Sequence, residues 1–239
     1  MPHGPICGEC TRDRLEQHDP LAFGQAGDTP SVLGAGVRRG CEGCRVLIVD
    51  SDVLLVERQL RDRLLTCPSC GAVLAPWGHS QPREIRGDLG ARFLLRPRRT
   101  RCSGCGVTHV LLAEVFWPRR ADAAVVIGAG LEIAALVMGH RQVAAYLGRA
   151  EGTVRGWLRA FAGRAEAVRR HFTVALVALA DDPVVPDAAP STLADAVSAV
   201  AAAHRAASAR WPGMLTVSRW EFAGRAIDGR VLTSPSAAI

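Results

Sequence analysis

Residues 67–71 read Cys-Pro-Ser-Cys-Gly, and residues 102–106 read Cys-Ser-Gly-Cys-Gly. Both stretches have the pattern C-x-x-C-G. A glycine after the second cysteine adopts a positive φ without strain, so a tight turn can aim its backbone N–H groups at the sulfur atoms. Two such turns supply four thiolates, the closed tetrahedral set of a structural zinc ion. The pattern therefore predicts one structural Zn²⁺ in a zinc ribbon, with four ligands: Cys67, Cys70, Cys102 and Cys105.

The two turns are separated by 31 residues, more than the roughly 15–20 that are usual in such sites. We expect two β hairpins to fill this interval. The alternative is a pair of thioredoxin-like redox sites, but that motif normally lies between a strand and a helix, which neither pair does. His79 or His109 could replace a cysteine as ligand, although a lone histidine beside a ribbon is more often a surface residue.

Four further cysteines form two C-x-x-C pairs near the N-terminus, and these pairs lack the trailing glycine: Cys7, Cys10, Cys41 and Cys44. Their pairs are 30 residues apart, close to the spacing of the first set. The surrounding residues 1–45 are rich in glycine and have no sustained hydrophobic period, which predicts a poorly structured extension. A second zinc site and an unstructured extension remain open alternatives.

The rest of the chain predicts an α+β fold in three further segments. Residues 46–120 comprise a buried strand at 46–49, a helix from Asp50 or Ser51 to about Leu65, and the zinc ribbon. Its strands are expected at 72–77, 83–86, 92–96 and 108–115. Residues 121–172 are helical. Residues 173–239 comprise a linker and C-terminal helices, the first capped by Thr192 with Asp195 and stopped by Pro212, and the second at about 219–227.

Residues 140–161 have the spacing of a helix-turn-helix. Val143 and Leu147 form the buried face of a first helix, and Gly148 lies where the turn needs a positive φ. The second helix has apolar residues at i, i+3, i+4 and i+7, which bury one face: Val154, Trp157, Leu158 and Phe161. With a preceding helix at 123–138, these elements predict a three-helix, homeodomain-like unit.

The opposite face of the second helix combines arginines with glycines, which would let the helix lie close to a phosphate-lined groove. The charge pattern agrees, because residues 67–120 carry nine arginines and three acids, whereas the ends of the chain are slightly acidic. Such asymmetry points to a polyanionic partner. The predicted DNA-contacting residues of the helical unit are Arg141, Arg149, Gly152, Thr153, Arg155 and Arg159. In the ribbon, where the alternative is a merely solubilising charge, they are Arg98, Arg99 and Arg101.

Residues 147–158 read LGRAEGTVRGWL and resemble the helix-turn-helix of transposases and homeodomain-like bacterial regulators. Arg149 replaces the apolar residue that is usual there, and Ala150 replaces the capping serine. The larger unit is similar to an uncharacterised bacterial family with a zinc ribbon and a helix-turn-helix, related to transposase N-terminal regions. The resemblance covers about residues 46–172.

Together these features predict a sequence-specific double-stranded DNA-binding protein that is transposase-related or associated with a mobile element. The region after Phe172 is short, and no βαβ pattern surrounds its acids, so it does not suit a metal-binding carboxylate triad; we expect no catalytic core and no enzyme activity. The alternatives are a transcriptional regulator and a helper or truncated transposase subunit. Expected partners are DNA and either a second copy or a separate catalytic subunit. Without an evident signal peptide or membrane span, we expect a cytoplasmic location.

Overall fold

The computed structural model describes residues 46–233. Within that range the chain is a mixed α+β structure with a small sheet and seven α-helices, which confirms the α+β class. The predicted N-terminal extension, with its four cysteines, lies outside the described residues. The expectation of a second metal site there therefore stays a prediction.

Four strands form the main sheet: β1 (Val46–Val49), β2 (Leu74–His79), β5 (Arg98–Cys102) and β6 (Thr108–Ala113). Their order is β1-β6-β5-β2; β1 runs parallel to β6, and the other pairs are antiparallel. Helix α1 (Val53–Arg61) joins β1 to the ribbon and begins at Asp52, whose carboxylate accepts hydrogen bonds from the N–H groups of Leu54 and Leu55. Its buried residues Val56 and Leu60 cluster with apolar residues of β1 and β6.

A separate hairpin, β3 (Arg83–Arg86) and β4 (Arg92–Leu95), lies between β2 and β5 in the sequence. The interval between the two cysteine turns therefore contains one hairpin nested inside the β2–β5 pair. The sequence predicted two hairpins there; the structure has one, because β2 and β5 pair with each other across the whole insertion.

The helical part contains α2 (Ala124–Ala135), α3 (His140–Leu147), α4 (Glu151–Ala162) and α5 (Ala165–Leu179), followed by α6 (Thr192–Arg210) and α7 (Arg219–Ala226). The apolar α2 is a buried core helix, with both Ile127 and Leu131 fully buried. No helix within residues 46–233 has the length and apolar character needed to cross a membrane.

Helix α6 begins one residue earlier than the predicted capping box. Ser191 is the N-cap, and its hydroxyl accepts a hydrogen bond from the N–H of Ala194. Asp195 accepts a hydrogen bond from the N–H of Ala189 and thereby holds the preceding linker. The prediction of Thr192 as cap was wrong by one position, because both residues are competent caps and the linker geometry selects Ser191.

One hydrophobic core spans α2 to α7 and reaches the last strand of the sheet. Aromatic edge-to-face contacts run through it, with centroids 6.1 Å apart for Trp117 and Trp220 and 6.2 Å for Phe161 and Trp220. Because Phe161 lies on α4 and Trp220 on α7, the C-terminal helices complete the core on which α4 rests.

Candidate metal centre and nucleic-acid interface

The four predicted cysteines meet at one point at the end of the β2–β5 pair. All four Sγ atoms lie within 4.8 Å of one another, with 3.7 Å between Cys67 and Cys105 and 3.3 Å between Cys70 and Cys102. Sulfur atoms 2.3 Å from a tetrahedral Zn²⁺ would be about 3.8 Å apart. The thiols are therefore close to the spacing of a closed four-coordinate site.

The two cysteine turns have the same backbone geometry. Gly71 has a φ of 75° and Gly106 a φ of 71°, and each donates its N–H to the carbonyl of the first cysteine of its turn. In the second turn, the N–H groups of Gly104 and Cys105 point to Cys102 Sγ at 3.3 and 3.4 Å. These donors stabilise negative charge on sulfur, which is what a metal-bound thiolate requires.

The same donors act on the acidity of the thiols. Burial raises the pKa of Cys102, but the N–H of Cys105, the thiol of Cys70 and the N–H of Gly104 outweigh burial and bring this pKa to about 6. The pKa of Cys105 is raised to about 12: the N–H of Val107 lowers it, but the hydrogen bond with Cys102, burial and the other thiols raise it more. The second turn thus stabilises a thiolate at Cys102, which is the ionised form that binds a metal ion.

His109 lies beside this cluster on β6. It is buried, and its Nε2 is 3.4 Å from Cys67 Sγ. The expectation of a surface histidine was therefore wrong for His109, whereas His79 is exposed. The alternation of side chains along β6 could have predicted this burial, because His109 lies on the same face of the strand as the buried Leu111.

Arg149 does not lie on an exposed surface. Its Nε is 2.7 Å from Asp122 Oδ1, its Nη2 donates to the carbonyl of Gly87 at 2.7 Å, and only 11% of the side chain is exposed. Asp122 is buried and also binds Arg86 Nη2 at 2.7 Å. A buried carboxylate and a hairpin carbonyl already bind the guanidinium group of Arg149, so we withdraw it from the predicted DNA contacts.

Arg98 is also held within the protein. Its Nε lies 2.9 Å from Glu57 of α1, and its Nη1 donates to the carbonyl of Gly78. We therefore withdraw Arg98 from the predicted phosphate contacts. Alternation along β5 places Arg99 and Arg101 on the other face, where Arg101 stacks over the half-exposed Trp77 with its Cζ 4.9 Å from the ring centroid.

Helix α4 has two different faces. Val154, Trp157 and Phe161 are buried against the core. Arg155 and Arg159 are exposed on the opposite side, and neither guanidinium group has an ion pair or hydrogen bond with a residue of the described range 46–233. Gly152 and Gly156 lie on the same side, and a Cβ added at either glycine would meet no atom within 4 Å.

The junction of α3 and α4 is a three-residue turn. Gly148 ends α3 in the left-handed conformation with a φ of 60°, as predicted. Helix α4 then starts after its N-cap residue, Ala150. The alanine side chain cannot accept a hydrogen bond from the N–H groups of the first turn. Thr153 is half-buried in that first turn, and Arg141 is exposed with its Nε 3.5 Å from Glu151.

Residues 67–153 match the model of a family described as a domain of unknown function, DUF6431. The matched region runs from the first cysteine turn through α3 into the first turn of α4. No curated protein and no solved structure matches the chain. The match thus covers the cysteine cluster, the β3–β4 hairpin and α3 but ends before Arg155 and Arg159 of α4, and it assigns no function.

Proposed function

We propose that this chain is a sequence-specific double-stranded DNA-binding protein, in which α3 and α4 act as a helix-turn-helix with α4 as the recognition helix. The observation that carries the proposal is the exposed face of α4. Arg155 and Arg159 have no partner among residues 46–233 and lie beside Gly152 and Gly156. Packing within the protein does not require glycine at either position, because an added Cβ would meet no neighbouring atom. Arginine binds phosphates and guanine edges, and glycines permit close approach of a groove wall.

The glycines have a measurable cost, which supports an external role for this face. An exposed glycine inside a helix is less stable than alanine by about 1 kcal/mol. Neither Gly152 nor Gly156 has a positive φ, and neither touches another element. Folding alone would therefore favour alanine at both positions, whereas a surface pressed against a DNA backbone would favour glycine.

The four cysteines hold one structural Zn²⁺ in this proposal. Four thiolates leave no open coordination position, so the ion stabilises the ribbon and supplies no reactive ligand. The ribbon then presents Arg99 and Arg101 as phosphate contacts beside the helix-turn-helix. The withdrawal of Arg98 reduces this ribbon surface to two arginines.

The proposal contains no catalytic activity. Association with a transposase or mobile element rests on the resemblance of residues 46–172. A transcriptional regulator and a helper or truncated transposase subunit stay the alternatives, with DNA as the common partner.

Selection of bound sequences from a random duplex pool tests the proposal. The full chain should enrich one motif of a few base pairs, and a chelator should weaken the enrichment. Enrichment in neither condition would refute sequence-specific duplex binding. Enrichment that the chelator leaves unchanged would remove the zinc ribbon from the proposal while keeping the helix-turn-helix.

A further inference from the structure

The β3–β4 hairpin ends in a turn, residues 87–91, which we call the hairpin tip. Leu89 at its centre is 99% exposed and has a φ of 49°. A leucine in the left-handed region is strained and gains nothing from burial here. Two hydrogen bonds hold this conformation. The N–H of Gly87 donates to the carbonyl of Ala91, and the N–H of Leu89 donates to Asp88 Oδ1 at 2.8 Å.

The hairpin tip is fastened to the junction of α3 and α4. Arg149, in that junction, donates to the Gly87 carbonyl, and the buried Asp122 binds both Arg149 and Arg86 of β3. On the other side of the hairpin, Phe93 packs against Phe116 with centroids 6.3 Å apart. The hairpin tip and the start of α4 are therefore held in a fixed relation.

This connection limits how far Leu89 is from the recognition helix. Leu89 lies two positions after Gly87, and Glu151, the first residue of α4, lies two positions after Arg149. With about 3.8 Å per residue and a fully extended arginine between them, the two Cα atoms lie within about 30 Å of each other. One turn of B-DNA spans about 34 Å, which exceeds this distance.

The charge around the hairpin also fits a polyanion. The strands and the residue after them carry four arginines: Arg83, Arg86, Arg92 and Arg96. Arg86 is paired with the buried Asp122 and Arg92 with Glu84, so Arg83 and Arg96 are the two without an ion pair within residues 46–233. The hairpin tip also carries the acidic Asp88, which leaves residues 83–96 with a net charge of +2. An exposed leucine within a basic element suits insertion beside the sugars of a groove, where phosphates bind the arginines and apolar edges contact the leucine.

We propose that the hairpin tip is a second contact with the duplex that α4 binds, with Leu89 placed against the groove next to the one that α4 enters. This inference rests on the proposed DNA binding. It adds a contact that precedes the helix pair in the sequence, and it explains why Arg149 and Asp122 fix the hairpin to the α3–α4 junction.

Two variants of the full chain test the contact on the enriched duplex. Leu89→Asp places a carboxylate near the phosphates, and Leu89→Gly removes the side chain without adding charge. We expect the dissociation constant to rise at least tenfold for the first variant and about threefold to tenfold for the second. Hydroxyl-radical footprints of both should lose protection on one side of the site and keep the protection due to α4.

Leu54→Asp is the matched control, because Leu54 is also highly exposed but lies in the first turn of α1. It should bind DNA like the unaltered protein. Zinc content and thermal unfolding of all three variants should be unchanged or, for Leu89→Gly, improved.

Several outcomes would overturn the inference. If the unaltered chain binds the duplex and Leu89→Gly binds it with the same affinity and footprint, the hairpin tip makes no contact, while the proposed function stands. If the unaltered protein sediments as a dimer and Leu89→Asp as a monomer, the hairpin tip is a protein interface. If the unaltered chain enriches no duplex, the proposed function itself fails.

Discussion

Arg149, in the turn between α3 and α4, and Arg155, on α4, are six positions apart, yet their guanidinium groups have different surroundings. Arg149 is bound by a buried carboxylate and a carbonyl oxygen, whereas Arg155 projects from α4 without a partner in residues 46–233. Spacing alone cannot separate them, because the partners of Arg149 are Asp122 and Gly87, 27 and 62 residues earlier in the chain.

The difference predicts two different phenotypes at the residue scale. Arg149→Ala leaves Asp122 buried with one of its two arginines missing, so it should lower the free energy of unfolding by about 3 kcal/mol. Arg155→Ala should change stability by less than about 0.5 kcal/mol. In DNA titrations at several salt concentrations, Arg155→Ala should weaken binding and lower the salt slope by about 1. Urea unfolding supplies the other measurement, and equal stability of the two variants would contradict the burial argument.

The glycines of α4 give a second residue-scale prediction. Gly156→Ala should raise the free energy of unfolding by up to about 1 kcal/mol, because alanine favours the helix and the added methyl group meets no atom. The same change should weaken duplex binding, since the methyl group stands between α4 and the groove wall. Unfolding and binding measured on one preparation would check both effects. A stabilised variant with undiminished affinity would show that the glycine face does not touch DNA.

At the scale of elements, the cysteine turns were the most predictable feature. Their ligands and the positive φ of Gly71 and Gly106 follow from a local pattern, and so do the Gly148 turn and the buried face of α4. The parallel pairing of β1 with β6, the nested hairpin and the Asp122 network all join distant segments. No local period encodes such pairings, so the sequence could not predict them.

Cys102→Ser tests the proposed metal centre. It should reduce bound zinc by one ion per chain and destabilise the cluster formed by Cys67, Leu74 and Cys102. Helical circular dichroism should largely persist, because the α2–α7 core contains none of the four cysteines. Zinc content by mass spectrometry is the direct readout; an unchanged stoichiometry would rule out Cys102 as a ligand. The exposed Ser69→Ala in the first turn is the control.

The start of α4 gives another element-scale prediction. Ala150 offers no side-chain cap, so Ala150→Ser should raise the free energy of unfolding by about 1 kcal/mol. Thermal unfolding would measure the gain. If the variant is no more stable than the unaltered protein, the first-turn N–H groups are already satisfied in some other way.

At the scale of the whole molecule, a buried ion pair connects the sheet to the C-terminal helices. Glu114, after β6, is 1% exposed and binds Arg225 of α7 at 2.8 Å, and Arg225 also lies 3.5 Å from Asp50. Burial raises the pKa of Glu114 above its ordinary value, although Arg225 opposes the shift. The folded protein therefore binds this proton more tightly than the unfolded chain does.

The sign of that shift predicts a pH dependence. As the pH falls from 7 towards the ordinary glutamate pKa, the free energy of unfolding of the unaltered protein should increase relative to that of Glu114→Gln. The exposed Glu166 is an opposite control, because its hydrogen bond with Arg169 lowers its pKa and its contribution fades on acidification. Urea unfolding across about pH 3–7 would measure both differences, because the contribution of Glu166 is lost only below the ordinary glutamate pKa. A Glu114 difference that does not change with pH would contradict the raised pKa.

The central claim is that the exposed arginine face of α4 reads duplex DNA. Its most direct test repeats the selection from a random duplex pool with the Arg155→Ala, Arg159→Ala double variant, using Arg170→Ala as control, since Arg170 is an exposed arginine on α5. The account predicts one enriched motif for the unaltered chain and the control, and loss of that motif for the double variant. The same motif enriched by all three proteins, or no motif for any of them, would contradict it.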